Sequence, residues 1–168
     1  SMKDEPPTPT ELDRIRRVAN FQFGRGGAEA LFPTVGERGS DDVGAITVTR
    51  TSSGRVEQCF DAGERLFTKE TNGRFVLSVE GGRRLVAGLD APRHRVAVGE
   101  ETVEFVREGR NAFAKFVQSV DPDLRPGDEA VVVHDGDVLG VGRAELSPDA
   151  MADFDSGVAV FVRHGAGD

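Results

Sequence analysis

The sequence is poor in the residues that build cross-links, metal sites and aromatic surfaces. It contains one cysteine, three histidines, no tryptophan and no tyrosine. A single cysteine excludes a disulfide within the chain, and with three scattered histidines it excludes a Cys-rich zinc site. No apolar stretch approaches the ~20 residues that span a bilayer, and the N-terminal residues lack the apolar segment of a secretion signal. We therefore expect a cytoplasmic protein without a metal ion or a cofactor.

Lysine is also scarce, and the overall charge is acidic. Three lysines stand against 18 arginines, and 29 acidic residues give a net charge of -8. This excess of acid and arginine resembles proteins of salt-loving archaea. The charge is uneven, because residues 1–92 carry 13 basic and 14 acidic side chains, whereas residues 93–168 carry 8 and 15. The balance argues against a polybasic nucleic-acid binder.

The N-terminal half predicts an α+β domain. Residues 1–9 are polar, contain three prolines and are interpreted as a disordered lead-in. From residue 10 to residue 92 we expect a helix over residues 11–23, capped by Thr10, and then a meander of about four strands. The dipeptide Asn72-Gly73 is the favoured turn of a two-residue hairpin. The glycines at 81 and 82 predict the start of a domain boundary that ends at Pro92.

Residues 93–168 predict a second, mostly-β domain. Alternating or apolar runs indicate five short strands, and two short helices are expected at residues 101–108 and from Pro148, with Ser147 as the helix cap. In the expected strand over residues 110–117, Phe113 and Phe116 would lie on opposite faces. Five or six short strands with two helices are typical of a small barrel.

This second half resembles a PUA domain, the small RNA-binding pseudo-barrel found on many RNA-modifying enzymes. The resemblance rests on blocks that occur in the same order and spacing: Glu108-Gly109-Arg110-Asn111, Phe113-Ala114-Lys115-Phe116-Val117, Arg125-Pro126-Gly127-Asp128-Glu129, Val138-Leu139-Gly140-Val141-Gly142-Arg143-Ala144, Leu146-Ser147, the helix with Met151 and Phe154, and residues 157–165. It implies a PUA pseudo-barrel with two short helices over residues 93–168.

The first half resembles the domain that precedes PUA in archaeal archaeosine tRNA-guanine transglycosylases. The resemblance is carried by residues 21–26, 30–33, 51–56 and 77–85. The catalytic barrel, the nucleophilic aspartate and the zinc site of that family have no counterpart in the sequence. The resemblance therefore implies a free-standing counterpart of the enzyme's C-terminal tRNA-binding part, with no catalytic residues of its own.

The candidate RNA contacts lie around one glycine. Gly109 follows a helix end and lets a sugar-phosphate backbone approach the main chain. Basic side chains nearby can neutralise phosphates and an amide can bond a base edge or ribose, and the family's last strand adds two residues beside this loop. These candidates are Arg107, Gly109, Arg110, Asn111, Lys115, Arg163 and His164. The alternative is an ordinary helix stop with solvated cations.

A further basic face on the first helix has two interpretations. Its arginines could extend an RNA track or could pair with acidic side chains, and we slightly favour pairing. They are Arg14, Arg16, Arg17 and Arg25.

The function predicted from the sequence is non-catalytic RNA binding. The expected ligand is tRNA, through an acceptor-stem-like duplex end, and the expected role is an adaptor or accessory in tRNA modification. The alternatives are an obligate RNA-binding subunit of a split tRNA-modifying enzyme and a protein-interaction module whose RNA surface has decayed. The acidic balance does not exclude RNA, since at 1 M salt the Debye length is only about 3 Å and distant acids scarcely repel a phosphate.

Overall fold

A computed structural model describes residues 4–33 and 45–167. Backbone contacts divide the chain into two compact units, Ser1–Leu89 and Asp90–Asp168. The domain limits drawn from the sequence, 10–92 and 93–168, stay a prediction. None of the helices in the described part is long and apolar enough to cross a membrane.

The N-terminal unit packs helices on an antiparallel four-stranded sheet. Its elements are α1 (Pro9–Phe23), α2 (Gly27–Leu31), β1 (Ile46–Arg50), β2 (Val56–Asp61), β3 (Glu64–Lys69), β4 (Phe75–Leu77) and α3 (Val79–Gly88). The strands pair in chain order, which confirms the predicted meander. The rings of Phe67 and Phe75 stack at 3.9 Å between centroids, and Phe32 meets Phe67 edge-on at 6.3 Å. These rings are fully buried, so they form the centre of the core.

The helix α1 begins earlier than predicted. Thr8, not Thr10, is the N-cap, and it forms a capping box with Glu11 in which each side chain bonds the other residue's backbone N–H. Upstream, Glu5 exchanges two backbone hydrogen bonds with Val48 of β1. The expectation of a disordered lead-in is therefore wrong for residues 5–9, while residues 1–3 lie outside the described part.

Glu11 gives the N-terminal unit a pH dependence. A hydrogen bond from Arg50 is the main cause that lowers the pKa of Glu11 from 4.5 to about 2. A carboxylate whose pKa is lower in the folded state stabilises it above its unfolded pKa and loses this contribution as pH falls toward the folded value. We expect Glu11→Gln, which can keep the capping bond, to destabilise by about 1 kcal/mol at pH 7 and by less at pH 3.

Urea unfolding followed by circular dichroism at both pH values measures this difference. Glu29→Gln is the matched control, because Glu29 pairs with Arg16 at 3.1 Å on a more exposed surface and should change little. If Glu11→Gln lowers the free energy of unfolding equally at pH 7 and pH 3, the pH dependence does not come from the Glu11 carboxylate.

The helix α3 occupies part of the segment in which the sequence predicted a domain boundary. Gly81 and Gly82 lie in its first turns, and Ser78 caps it by accepting a bond from the Gly81 N–H. A Cβ at Gly81 would lie 2.1 Å from the carbonyl oxygen of Leu66. Glycine is required at position 81 because α3 packs its backbone directly on β3. The two compact units divide between Leu89 and Asp90, which lies within the predicted boundary segment of residues 81–92, and α3 fills the first part of that segment.

A buried ion pair joins α3 to the sheet. The Nη1 atom of Arg84 lies 2.5 Å from Oδ2 of Asp61, which is fully buried at the end of β2. Arg84 also donates to the Leu31 carbonyl oxygen at 2.9 Å and to Glu80 at 3.2 Å. The guanidinium therefore links β2, α2 and α3.

The C-terminal unit is a six-stranded sheet with two short α-helices. Its elements are β5 (Arg95–Val98), α4 (Val103–Arg107), β6 (Ala112–Phe113), β7 (Val117–Val120), β8 (Glu129–His134), β9 (Asp137–Ala144), α5 (Pro148–Asp153) and β10 (Val158–Gly165). The strand order is β6-β10-β9-β8-β5-β7, and β5 and β8 are parallel. Buried valines, alanines and leucines fill the interior. The predicted α+β region followed by a mostly-β pseudo-barrel is confirmed.

The barrel is nearly closed by a three-residue turn. β6 and β7 are the outermost strands of the sheet, yet only the 3₁₀ turn Ala114–Phe116 separates them in the chain. The Ala114 N–H donates to the Gly157 carbonyl at 2.9 Å and fixes this turn against the start of β10. The prediction of one strand over residues 110–117 is therefore wrong, and Phe113 and Phe116 are not on opposite faces of one strand.

Candidate nucleic-acid interface

The candidate site is built on the turn that ends α4. The Gly109 N–H donates to the Val106 carbonyl at 2.9 Å and the Arg110 N–H to the Phe105 carbonyl at 3.0 Å. These two bonds form a Schellman motif, which places the residue after the C-cap in the left-handed region. Gly109 adopts this conformation with φ of 94°, which glycine reaches at no steric cost.

The last strand lies against this turn. A Cβ at Gly165 of β10 would lie 2.2 Å from the Arg107 carbonyl oxygen and 2.5 Å from the Gly109 nitrogen. The Asn111 Oδ1 atom accepts the Val162 N–H at 3.0 Å, which extends the hydrogen bonding of β10 beyond its short pairing with β6. Asn111 thus holds the strand to the turn, and its oxygen is already bonded.

A groove beside the turn collects three of the predicted residues. It has a volume of about 430 Å³, and Arg110, Asn111 and Lys115 line it. Phe105, Phe113 and Phe116 also line it, and Phe105 and Phe113 are 50% and 42% exposed. Thr102, Asp155, Ser156 and Gly157 complete its described lining, so the groove also holds one carboxylate. Exposed rings beside cations and an amide are the groups with which proteins hold unpaired bases and phosphates.

The two groove cations lie over ring faces, and within the described part of the chain Arg110 has only one long ion pair and Lys115 has none. The Arg110 guanidinium carbon is 5.5 Å from the centroid of Phe105, and the Lys115 Nζ is 5.1 Å from that of Phe116. Glu108 approaches Arg110 only to 3.9 Å, and both side chains are exposed. An exposed pair at this distance contributes little, so Arg110 is available to a phosphate.

The remaining predicted cations do not join the groove. Arg163 makes a two-point ion pair with the buried Glu129, with Nη2 2.5 Å from Oε1 and Nη1 3.3 Å from Oε2. Arg107 lies 4.0 Å from Asp137. Neither residue is among the groove's described lining residues, and His164, half-buried on β10, is not among them either.

The three phenylalanines were missed as site residues. From the sequence they resemble core positions, because they stand among valines and alanines. The available signal was their position, since Phe105 and Phe113 flank Arg110-Asn111 in a chain without tryptophan or tyrosine. Across residues 4–33 and 45–167, no group of three or more His, Cys, Asp or Glu side chains could hold a metal ion.

Comparison with known proteins assigns both halves. Residues 13–92 match the patch-forming domain C2 of tRNA-guanine transglycosylase, and residues 94–166 match the PUA domain. The tRNA-guanine(15) transglycosylase of Methanothermobacter thermautotrophicus is 38% identical over 166 residues, which is 98% of this chain. The match lies in the C-terminal part of that enzyme and covers 24% of it, so this chain spans about a quarter of the length of the curated relatives.

Solved structures share the fold. A hypothetical protein from Pyrococcus horikoshii superposes with a TM-score of 0.73 at 20% identity, over 99% of this chain and 96% of that one. A conserved PUA domain protein from Thermoplasma acidophilum superposes with a TM-score of 0.66 at 20% identity, over 99% and 95%. Both support the fold assignment of the two units.

Proposed function

Because residues 13–92 belong to the family of the patch-forming domain C2 of tRNA-guanine transglycosylase and residues 94–166 to the PUA family, we propose that this chain is a non-catalytic tRNA-binding region. It holds an acceptor-stem-like duplex end and presents that RNA for modification by a separate catalytic part. As a tRNA-binding region it would act in the cytoplasm.

The observation that carries this proposal is the groove beside Gly109. It combines two exposed cations that lie over ring faces with the amide of Asn111 and two exposed rings. Arg110 and Lys115 would neutralise phosphates, and Phe105 or Phe113 would stack on a splayed base. Such contacts recognise RNA by its shape, its 2′-hydroxyls and its unpaired bases, and they do not read base pairs in the major groove of the RNA duplex.

A second candidate function follows from the fact that the chain covers only part of the length of its relatives. If the catalytic residues belong to a separate chain, this protein is the RNA-binding subunit of a split tRNA-modifying enzyme. Purification from the native host at physiological salt separates the two roles. A subunit remains in a stable stoichiometric complex with a catalytic chain, whereas an adaptor is recovered without one.

The groove is tested by charge removal. Arg110→Ala and Lys115→Ala should each weaken tRNA binding roughly tenfold, since each removes one charge-assisted phosphate contact. The loss should be similar for every structured RNA, and the slope of log affinity against log salt should fall by about 1 for each variant. Fluorescence anisotropy with labelled tRNA at several salt concentrations measures both quantities.

Arg125→Ala is the matched control for these variants. Arg125 is an exposed arginine of the same unit in the turn at residues 125–128, and it is not among the described lining of the groove. Unchanged affinity in the Arg110→Ala/Lys115→Ala double variant, or an equal loss in Arg125→Ala, would refute the site. If the slope of log affinity against log salt for the unmodified protein corresponds to the release of many more than a few counterions, RNA contacts a larger basic surface than the groove offers.

A further inference from the structure

A second cleft lies in the N-terminal unit, between α1 and one end of the sheet. Its volume is about 420 Å³, and three cations line it: Arg14 of α1, Arg55 just before β2, and Lys69 at the end of β3. The chain between β1 and β2 and the chain between β3 and β4 both turn at this end of the sheet. The cations therefore converge on one opening although they are far apart in the sequence.

Among the described residues, these cations have no acidic partners, whereas neighbouring arginines do. On the same helix Arg16 pairs with Glu29 at 3.1 Å, and Arg17 pairs with Asp13. No carboxylate among the described residues pairs with Arg14, Arg55 or Lys69. In a chain of net charge -8, three cations around one cleft that pair with no described carboxylate are a local concentration of positive charge.

Glu11 is the one acid among the described residues that line the cleft, and it does not offset this charge. Glu11 lines the cleft, but both of its carboxylate oxygens accept bonds from Arg50. The opening therefore presents positive charge to a ligand.

The interior of the cleft is apolar. Ile15 and Val18 of α1 line one side, and Val56 and Phe75 line the sheet side. Cavities of roughly 300–1,000 Å³ with an apolar lining and a few polar groups are typical of small-ligand sites. This cleft fits a ligand that carries a multiply charged anion on a compact, partly apolar body.

We propose that the cleft binds one nucleoside phosphate unit, with the phosphate on Arg14, Arg55 and Lys69 and the base or ribose on the apolar lining. The unit is either a free nucleotide or the phosphorylated end of a nucleic-acid strand. The site is separate from the groove beside Gly109 and does not rest on the function proposed for that groove.

The test is amide shift mapping by nuclear magnetic resonance on the whole chain. Guanosine monophosphate, cytidine monophosphate, the two nucleosides, inorganic phosphate and a 5′-phosphorylated trinucleotide are titrated separately. We expect the mononucleotides to shift amides around residues 14, 55 and 69 and to bind at least tenfold more tightly than nucleoside or phosphate alone. Equal binding of monomer and trinucleotide identifies a free nucleotide, and tighter binding of the trinucleotide identifies a strand end.

Variants separate this site from the groove. Arg55→Ala/Lys69→Ala should weaken mononucleotide binding at least tenfold, whereas Arg17→Ala, which removes an exposed and already paired arginine of α1, should not. Arg110→Ala/Lys115→Ala should leave these shifts unchanged. The amide spectra also show whether each variant is folded. The absence of shifts in the cleft, phosphate binding as tight as nucleotide binding, or shifts in the cleft with a polyglutamate peptide but with no nucleotide would each overturn the proposal.

Discussion

Replacing Asp61 by alanine is expected to lower the free energy of unfolding of the N-terminal unit by about 3–5 kcal/mol. Asp61 is fully buried and accepts a bond from Arg84. Burial alone would lower the pKa of Arg84, but the hydrogen bonds to Asp61 and Glu80 outweigh it, and the pKa is raised. Without Asp61 the guanidinium stays charged in a largely buried position with one partner fewer. An uncompensated buried charge costs far more than an exposed pair contributes.

The thiol of Cys59 reports on this unit alone. Burial is the main cause that raises the pKa of Cys59 to about 12, and the side chain is inaccessible on β2. It is the chain's single cysteine, so a thiol reagent labels the protein only when the N-terminal unit opens. Labelling rates across a urea series therefore give the stability of that unit for each variant.

Two further variants distinguish a buried charge from simple loss of packing. Asp61→Ala/Arg84→Met removes both charges and should recover part of the loss. Asp13→Ala removes an exposed partner of Arg17 and should cost less than about 1 kcal/mol. If Asp61→Ala costs no more than Asp13→Ala, or if the double variant is less stable than Asp61→Ala, the buried pair does not stabilise the unit as described.

Local patterns were sufficient for most elements of the fold. The helix stripe of α1, the four-strand meander and the cap of α5 by Ser147 follow from residue periodicity and capping chemistry. The α3 helix was missed because two glycines in its first turns disfavour a helix locally. Those glycines are explained only by the tertiary contact of Gly81 with the Leu66 carbonyl, which no local pattern contains.

The grouping of the candidate residues around the groove follows from the sequence only in part, for the same reason. Gly109, Arg110, Asn111 and Lys115 are adjacent in the sequence, so a local motif brings them together, and three of them line the groove. The partner of Arg163 is Glu129, 34 residues away, and its ion pair depends on the sheet. The position of Phe113 depends on where β6 ends, because the chain leaves that strand through the 3₁₀ turn that leads to β7. Neither fact follows from residue type or spacing.

Gly165→Ala is expected to destabilise the C-terminal unit by about 3 kcal/mol, at the upper end of overpacking costs. The new Cβ would meet the Arg107 carbonyl oxygen at 2.2 Å and the Gly109 nitrogen at 2.5 Å, and both are backbone atoms. Neither can yield alone, because the Arg107 carbonyl also accepts the Gly167 N–H and Gly109 is held in the Schellman turn. The strand and the turn must separate, which moves the Arg110-Asn111 backbone at the groove.

Thermal unfolding by circular dichroism and tRNA binding below the transition measure the two consequences separately. Gly136→Asn is the control, since Gly136 lies in the β8–β9 hairpin with φ of 84° and nothing within 4 Å of a Cβ, and asparagine tolerates this conformation. We expect Gly165→Ala to lose tRNA affinity even where it remains folded, because the turn that carries Arg110 is displaced. A folded Gly165→Ala protein with unchanged tRNA affinity would show that RNA binding does not depend on the packing of the Gly109 turn against β10. The RNA interface would then lie elsewhere on the protein.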